Sequence, residues 1–226
     1  MHDLLTGFFF WTAMGVCLVG VIVRFVSYFK GLDWKLDRVA YTVYPAAGLK
    51  GALVSIYRWL IPFGTHGWRT QPVITLLFFG FHIGAVLVPI FLLGHNVFLR
   101  DKLGFSFFTL NPFAADVLTW TALICALFLI ARRLLLPHVR IMTTMYDYTL
   151  LLISVAPFAT GLLARYHTGG DYSFWLNMHI FYGELLLIAI PFTRLSHIFL
   201  FFASRAQLGM DFGIKRGGRK GTNMAW

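Results

Sequence analysis

Charge is scarce in this sequence. Asp, Glu, Lys and Arg make up 12% of its 226 residues, roughly half the ~25% share of an ordinary soluble domain. Hydrophobic residues account for 58% and aromatics for 18%. So little polar surface excludes a water-soluble domain of this size. It points to an integral membrane protein with little extramembrane mass and no separate soluble catalytic domain. Cysteine is almost missing too: Cys17 and Cys125 both lie inside apolar runs. No C-x-x-C pair is present, which argues against an iron–sulfur cluster or zinc site held by this chain alone. No C-x-x-C-H is present either, which excludes that attachment motif for a covalent c-type haem. Acidic residues number 9 against 19 Lys and Arg, a formal charge of +10. In an apolar chain this excess reads as basic loops held on the cytoplasmic side, not as nucleic-acid binding. The first apolar run lacks a basic leading region and a small-x-small cleavage site, so it reads as a retained span. No internal repeat or low-complexity segment stands out.

Long apolar runs dominate what remains. Five reach membrane-spanning length, over about residues 4–28, 72–93, 111–135, 144–166 and 174–203. The expected fold is all-α: a polytopic membrane protein of five transmembrane helices forming one domain over 1–226. Fourteen Lys and Arg fall on one side of these spans and three (Arg100, Lys102, Arg165) on the other. The positive-inside bias then puts the N-terminus outside and the C-terminus in the cytoplasm. Between the first two spans, AAGLKGALVSIYRWLIPF mixes apolar residues with Lys50 and Arg58. It reads as an amphipathic interface helix or a docking surface for a cytoplasmic partner.

The fifth run carries His179 and His197, eighteen residues apart. In one continuous helix that spacing is five full turns, so both imidazoles share a face about 27 Å apart. Ligand-type residues inside a span are functional candidates by default, and two in-line histidines at opposite depths read as axial ligands of two haems. Gly183, on the His179 face, leaves space beside the imidazole, and Glu184 is either a proton acceptor or a partner for a neighbouring helix. Pro191 interrupts the backbone between the histidines, and Arg194 suits a haem propionate or lipid headgroups. In the second run, FFGFHIG places His82 at mid-depth, as a haem ligand or a buried histidine bonded to a neighbouring helix. Gly80 and Gly84 face away from it and read as a close helix–helix contact. His66 lies on the inner side just before this run and is a candidate ligand opposite His197. His95, His138 and His167 sit at run ends and read as interfacial.

The His179/His197 spacing, the R-L-x-H at the second of them and the GFHIG of the second run resemble the gamma (cytochrome b) subunit of respiratory nitrate reductase. The resemblance extends to the membrane cytochromes b of sulfate-reducer transmembrane redox complexes, of the high-molecular-weight cytochrome type, which are the closer guess. It covers most of the chain and implies a b-type haem subunit of a bacterial inner-membrane respiratory complex, in sulfate respiration. Such a subunit has no complete active site of its own. It passes electrons between a periplasmic or quinone side and cytoplasmic iron–sulfur subunits, with other membrane subunits and a periplasmic multihaem cytochrome c as further partners. By resemblance, His82 and His179 ligate the outer haem and His197 one side of the inner haem. The family's remaining ligand falls at Pro72, which cannot ligate. Either His66 replaces it or a single haem b is bound. Menaquinone near the outer haem, with Lys102 or Glu184 as proton or oxygen partners, is a further expectation. Two other classes fit the composition: a haem-free membrane anchor for soluble redox subunits, and a proton or ion channel, which the lack of a repeated acidic or amide ring disfavours.

Overall fold

The structure, a computed structural model, describes residues 2–32, 45–167 and 170–215, without the side chains of the last four. Every regular element among them is helical. Five helices are long and apolar enough to cross a membrane, which makes this a multi-pass membrane protein: His2–Lys30 (α1), Pro72–Phe91 (α4), Pro112–Leu135 (α6), Met145–Arg165 (α8) and Tyr172–Phe192 (α9). Between and after them lie Pro45–Leu60 (α2), His66–Thr70 (α3), Leu93–Leu103 (α5), Pro137–Arg140 (α7) and His197–Lys215 (α10). Of the basic residues used for orientation, Lys35, Arg38, Arg216, Arg219 and Lys220 lie outside the described residues. The chain falls into two compact units. The first joins the residues up to Thr6 to Val73–Gly183; the second joins Gly7–Pro72 to the chain from Glu184 onward.

In the first unit, α4 and α6 meet through glycine. A Cβ at Gly84 would lie 2.5 Å from the Leu118 carbonyl oxygen and 2.8 Å from Ala122 Cβ. One at Gly80 would lie 2.8 Å from Cys125 Sγ. The small-residue face read in the sequence is therefore the α4–α6 contact, backbone against backbone. Gly84→Val should cost roughly 1–3 kcal/mol by forcing these helices apart, seen as a lower unfolding temperature in detergent. Asn111 caps α6, its side-chain oxygen accepting from the Ala114 N–H at 2.7 Å, and Thr144 with Asp147 forms a capping box at α8. Arg165 of α8 clasps Asp116 of α6 in a two-toothed pair, Nε–Oδ1 2.5 Å and Nη2–Oδ2 2.8 Å. Thr119 and Thr160 donate their hydroxyls to the carbonyls of Ala115 and Ala156. Both hydroxyls are thereby satisfied inside apolar spans.

Pro89 ends α4 early. It has no N–H to offer one turn back, and Leu92 turns extended at φ −67°, ψ 134° before α5 begins. Each carbonyl of the last α4 turn then finds a donor. Val88 accepts from the Leu92 N–H, Pro89 from His95 Nδ1, Ile90 from Asn96 Nδ2 and Phe91 from the Leu110 N–H. The run read as ending at residue 93 thus stops at Phe91, and His95 sits in the first turn of a separate helix.

The second unit holds most of α1 with α2, α3, the end of α9 and α10. The expected single helix over 174–203 does not form. It ends at Phe192, Thr193 turns extended, and Arg194–Ser196 makes one 3-10 turn before His197 opens α10. Pro191 removes a rung just before this break. The five-turn, one-face relation of His179 and His197 is corrected accordingly: the two lie on different helices. Arg24 of α1 donates Nε to the Pro191 carbonyl at 2.8 Å, and Gly20 lies against Pro191, where a Cβ would come within 2.6 Å. Tyr28 donates its hydroxyl to Gln207 Oε1 on α10. The 45–60 stretch is helical, as its pattern suggested, and packs along α10.

Candidate functional site: a facing histidine pair

The first unit brings together two imidazoles that the sequence reading kept apart. His179 Nε2 lies 3.3 Å from His95 Nε2. The ring planes are within 10° of parallel and the centroids 5.6 Å apart. A ring nitrogen sits about 1.1 Å from the centroid of a five-membered ring with bonds near 1.35 Å. Two such radii added to the nitrogen separation recover nearly the whole centroid distance. The rings therefore meet head-on along their Nε2 axes, not face to face.

Their other nitrogens are committed. His179 Nδ1 lies 2.8 Å from the Pro157 carbonyl oxygen, and His95 Nδ1 lies 2.9 Å from that of Pro89. A carbonyl only accepts, so both Nδ1 atoms carry a proton, and in the neutral form of each ring Nε2 is the nitrogen with the free lone pair. Burial pushes the His95 imidazole below its usual range, against the opposing pull of the Pro89 carbonyl. At 3.3 Å the two Nε2 atoms can share one proton as an N–H···N hydrogen bond or present two lone pairs to one metal ion.

Glycine makes the approach to Pro157 possible. A Cβ at Gly161 would lie 3.0 Å from His179 Nδ1 and 3.1 Å from Cε1, so the imidazole rests on bare α8 backbone, one turn past Pro157. The space assigned in the sequence to Gly183 is of another kind: a Cβ there would meet no atom within 4 Å. The glycine that seats His179 is Gly161.

The other named residues lie as follows. His82, half-buried, holds Nδ1 2.8 Å from the Phe78 carbonyl oxygen and its ring against Phe78, centroids 4.0 Å apart. His197, exposed, holds Nδ1 2.8 Å from the Arg194 carbonyl oxygen. In both, as in His95 and His179, Nδ1 faces a backbone carbonyl, the outer bond that metal-bound histidines make. His66 is exposed at the start of the five-residue α3 and Arg194 is exposed in the 3-10 turn. Glu184 is buried, its Oε1 without a hydrogen-bond partner among the described residues. Lys102 stands 3.8 Å from Asp101 and over the Phe98 ring. It is seven residues beyond His95, two turns along the same face of α5. The buried Asn177 also has a side-chain oxygen without a partner among the described residues.

The donor set narrows what fits. Among the described residues no three His, Cys, Asp or Glu side chains gather as metal ligands. A metal bound by this chain alone needs three or four. Two opposed imidazoles suit a metal whose remaining positions come from a macrocycle. At a metal–imidazole bond near 2 Å, a bis-histidine iron holds its nitrogens roughly 4 Å apart, within about an ångström of the observed pair. The two imidazoles have the donor chemistry of an axial haem pair.

A protein of Nitratidesulfovibrio vulgaris (strain Hildenborough) is 53% identical to this chain over 227 residues and is covered over its whole length, as is the chain. The chain belongs to that protein's family. No family model matches it, and no solved structure matches it. The relative's name states no activity, so the chemistry rests on the site itself.

Proposed function

We propose that this protein is a b-type haem membrane subunit of a bacterial inner-membrane respiratory complex. It would relay electrons between a periplasmic or quinone side and a cytoplasmic iron–sulfur partner. One observation carries the reading: the head-on pair of His95 and His179, each with Nδ1 held by a backbone carbonyl and Nε2 turned toward the other ring. A haem held by these two residues would supply one-electron chemistry.

The chain's own residues do the rest. Pro89 and Pro157 fix ring orientation and basicity through their carbonyls. Gly161 admits the His179 ring, and the break at Leu92 turns α5 so that His95 meets it. The ligand pair proposed for the outer haem is therefore His95 and His179. His82, which the resemblance assigned to that place, remains the alternative partner of His179, and His197 and His66, both in the second unit, remain the candidates for a second haem. Arg194 remains the proposed propionate partner, and Lys102 and Glu184 the proposed quinone or proton groups. The +10 charge, with the N-terminus outside, would set a basic cytoplasmic face against an acidic iron–sulfur subunit.

Absorbance of the purified full chain tests this. A Soret band and a reducible α-band are expected, and carbon monoxide should leave the dithionite-reduced spectrum unchanged because both axial positions are taken. No Soret band would establish a haem-free anchor instead.

A further inference from the structure

We infer that α2, with the adjoining face of α10, is seated in bilayer lipid at the membrane surface, its apolar stripe against acyl chains and Lys50 and Arg58 among anionic headgroups. This goes beyond the haem reading and does not depend on it.

The sorting of side chains on α2 carries the inference. Its buried residues are Gly48, Gly51, Ala52 and Ser55. Its large apolar residues point outward: Leu49 is 60% exposed, Leu53 59%, Tyr57 63% and Leu60 50%. At about 100° per residue those four fall within an arc of roughly 80°, and the buried four occupy another face. A helix bathed in water sorts the other way, burying leucine and exposing small or polar residues. Packing through small residues with large apolar ones outside is the arrangement of helices solvated by lipid.

The α2–α10 contact is correspondingly close. A Cβ at Gly209 would collide with the Gly51 carbonyl oxygen and lie 2.7 Å from Ser55 Cβ. α10 itself exposes Ile198, Phe199 and Phe202. Sixteen residues make α2 about 24 Å long, short of the ~30 Å hydrocarbon core. It is therefore assigned to the boundary and not to a sixth crossing. The residues at its end suit that depth. Trp59 meets Trp68 edge-on at 5.5 Å, and the Arg205 guanidinium lies 4.4 Å over the Trp59 ring. Tryptophan and arginine with apolar bodies and polar tips favour the headgroup region. α2 has two basic residues and no acidic one, which complements an anionic lipid surface.

The test is nitroxide accessibility in the full chain carrying Cys17→Ala and Cys125→Ala, reconstituted in phosphatidylcholine–phosphatidylglycerol bilayers. Labels go on Leu49→Cys, Leu53→Cys and Tyr57→Cys, with Lys50→Cys at the stripe's edge for comparison. All four replace exposed side chains, so folding is not at stake. The ratio of oxygen to nickel-chelate collisions should be several-fold higher at the three stripe positions than at Lys50→Cys. Nickel-dominated collisions along the stripe would show a water-solvated face and overturn the inference. Low collision rates with both reagents would show a protein cover, a second copy in this preparation, and overturn it equally.

Discussion

Replacing His95 with alanine should remove one haem from the purified protein, and His179→Ala should remove the same one. Each imidazole presents Nε2 to the other at 3.3 Å with Nδ1 held on a carbonyl, so neither binds that haem as a six-coordinate site alone. The double variant should then lose no more than either single one, the non-additivity expected of residues acting as a unit. Haem per chain, with the low-spin signal in electron paramagnetic resonance, reads all three. The His82 assignment makes the opposite forecast. If His82 were the partner of His179, His82→Ala would reproduce the His179→Ala loss and His95→Ala would leave the spectrum intact.

Gly161→Val should be nearly as severe without touching a ligand. The first added carbon would already stand 3.0 Å from His179 Nδ1 and 3.1 Å from Cε1, and valine's further methyls press harder on the same ring. Overpacking of this kind costs roughly 1–3 kcal/mol, or about five- to a hundredfold in affinity at 1.4 kcal/mol per decade. Gly161→Ala needs a shift of only a few tenths of an ångström; it should retain the haem with an altered reduction potential. Gly183→Ala, with open space at its Cβ, should bind haem as wild type does. Haem titration of the apoprotein separates these cases: wild-type affinity in Gly161→Val would remove the cradle from the account.

The spans were legible because an apolar run of about twenty residues has few other uses. Four of the five agree with the structure to within two residues at each end. The fifth overran because TRLSHIFLFF stays apolar past the break, so hydropathy continued where the backbone did not. Pro191 marked the place, but its effect read as a bend. The same limit hid His95. Counting depth along a straight second span leaves it at the membrane surface, where a histidine seldom ligates. Only the stop at Phe91, two residues after Pro89, and the extended Leu92 turn α5 back so that His95 meets His179. His179 was found because its depth made it conspicuous, and Gly80 and Gly84 because their spacing is itself the contact. Gly161 left a fainter trace, a glycine four residues after Pro157 in a span. Its purpose depends on a partner twenty-two residues away from Pro157, which no local pattern encodes.

Haem content decides the central claim. A pyridine haemochrome assay on the purified wild-type chain should return b-type haem at two per chain, one of them lost in His95→Ala. A chain that folds in the membrane and returns none would contradict the account, because the facing imidazoles of His95 and His179 would then hold no iron.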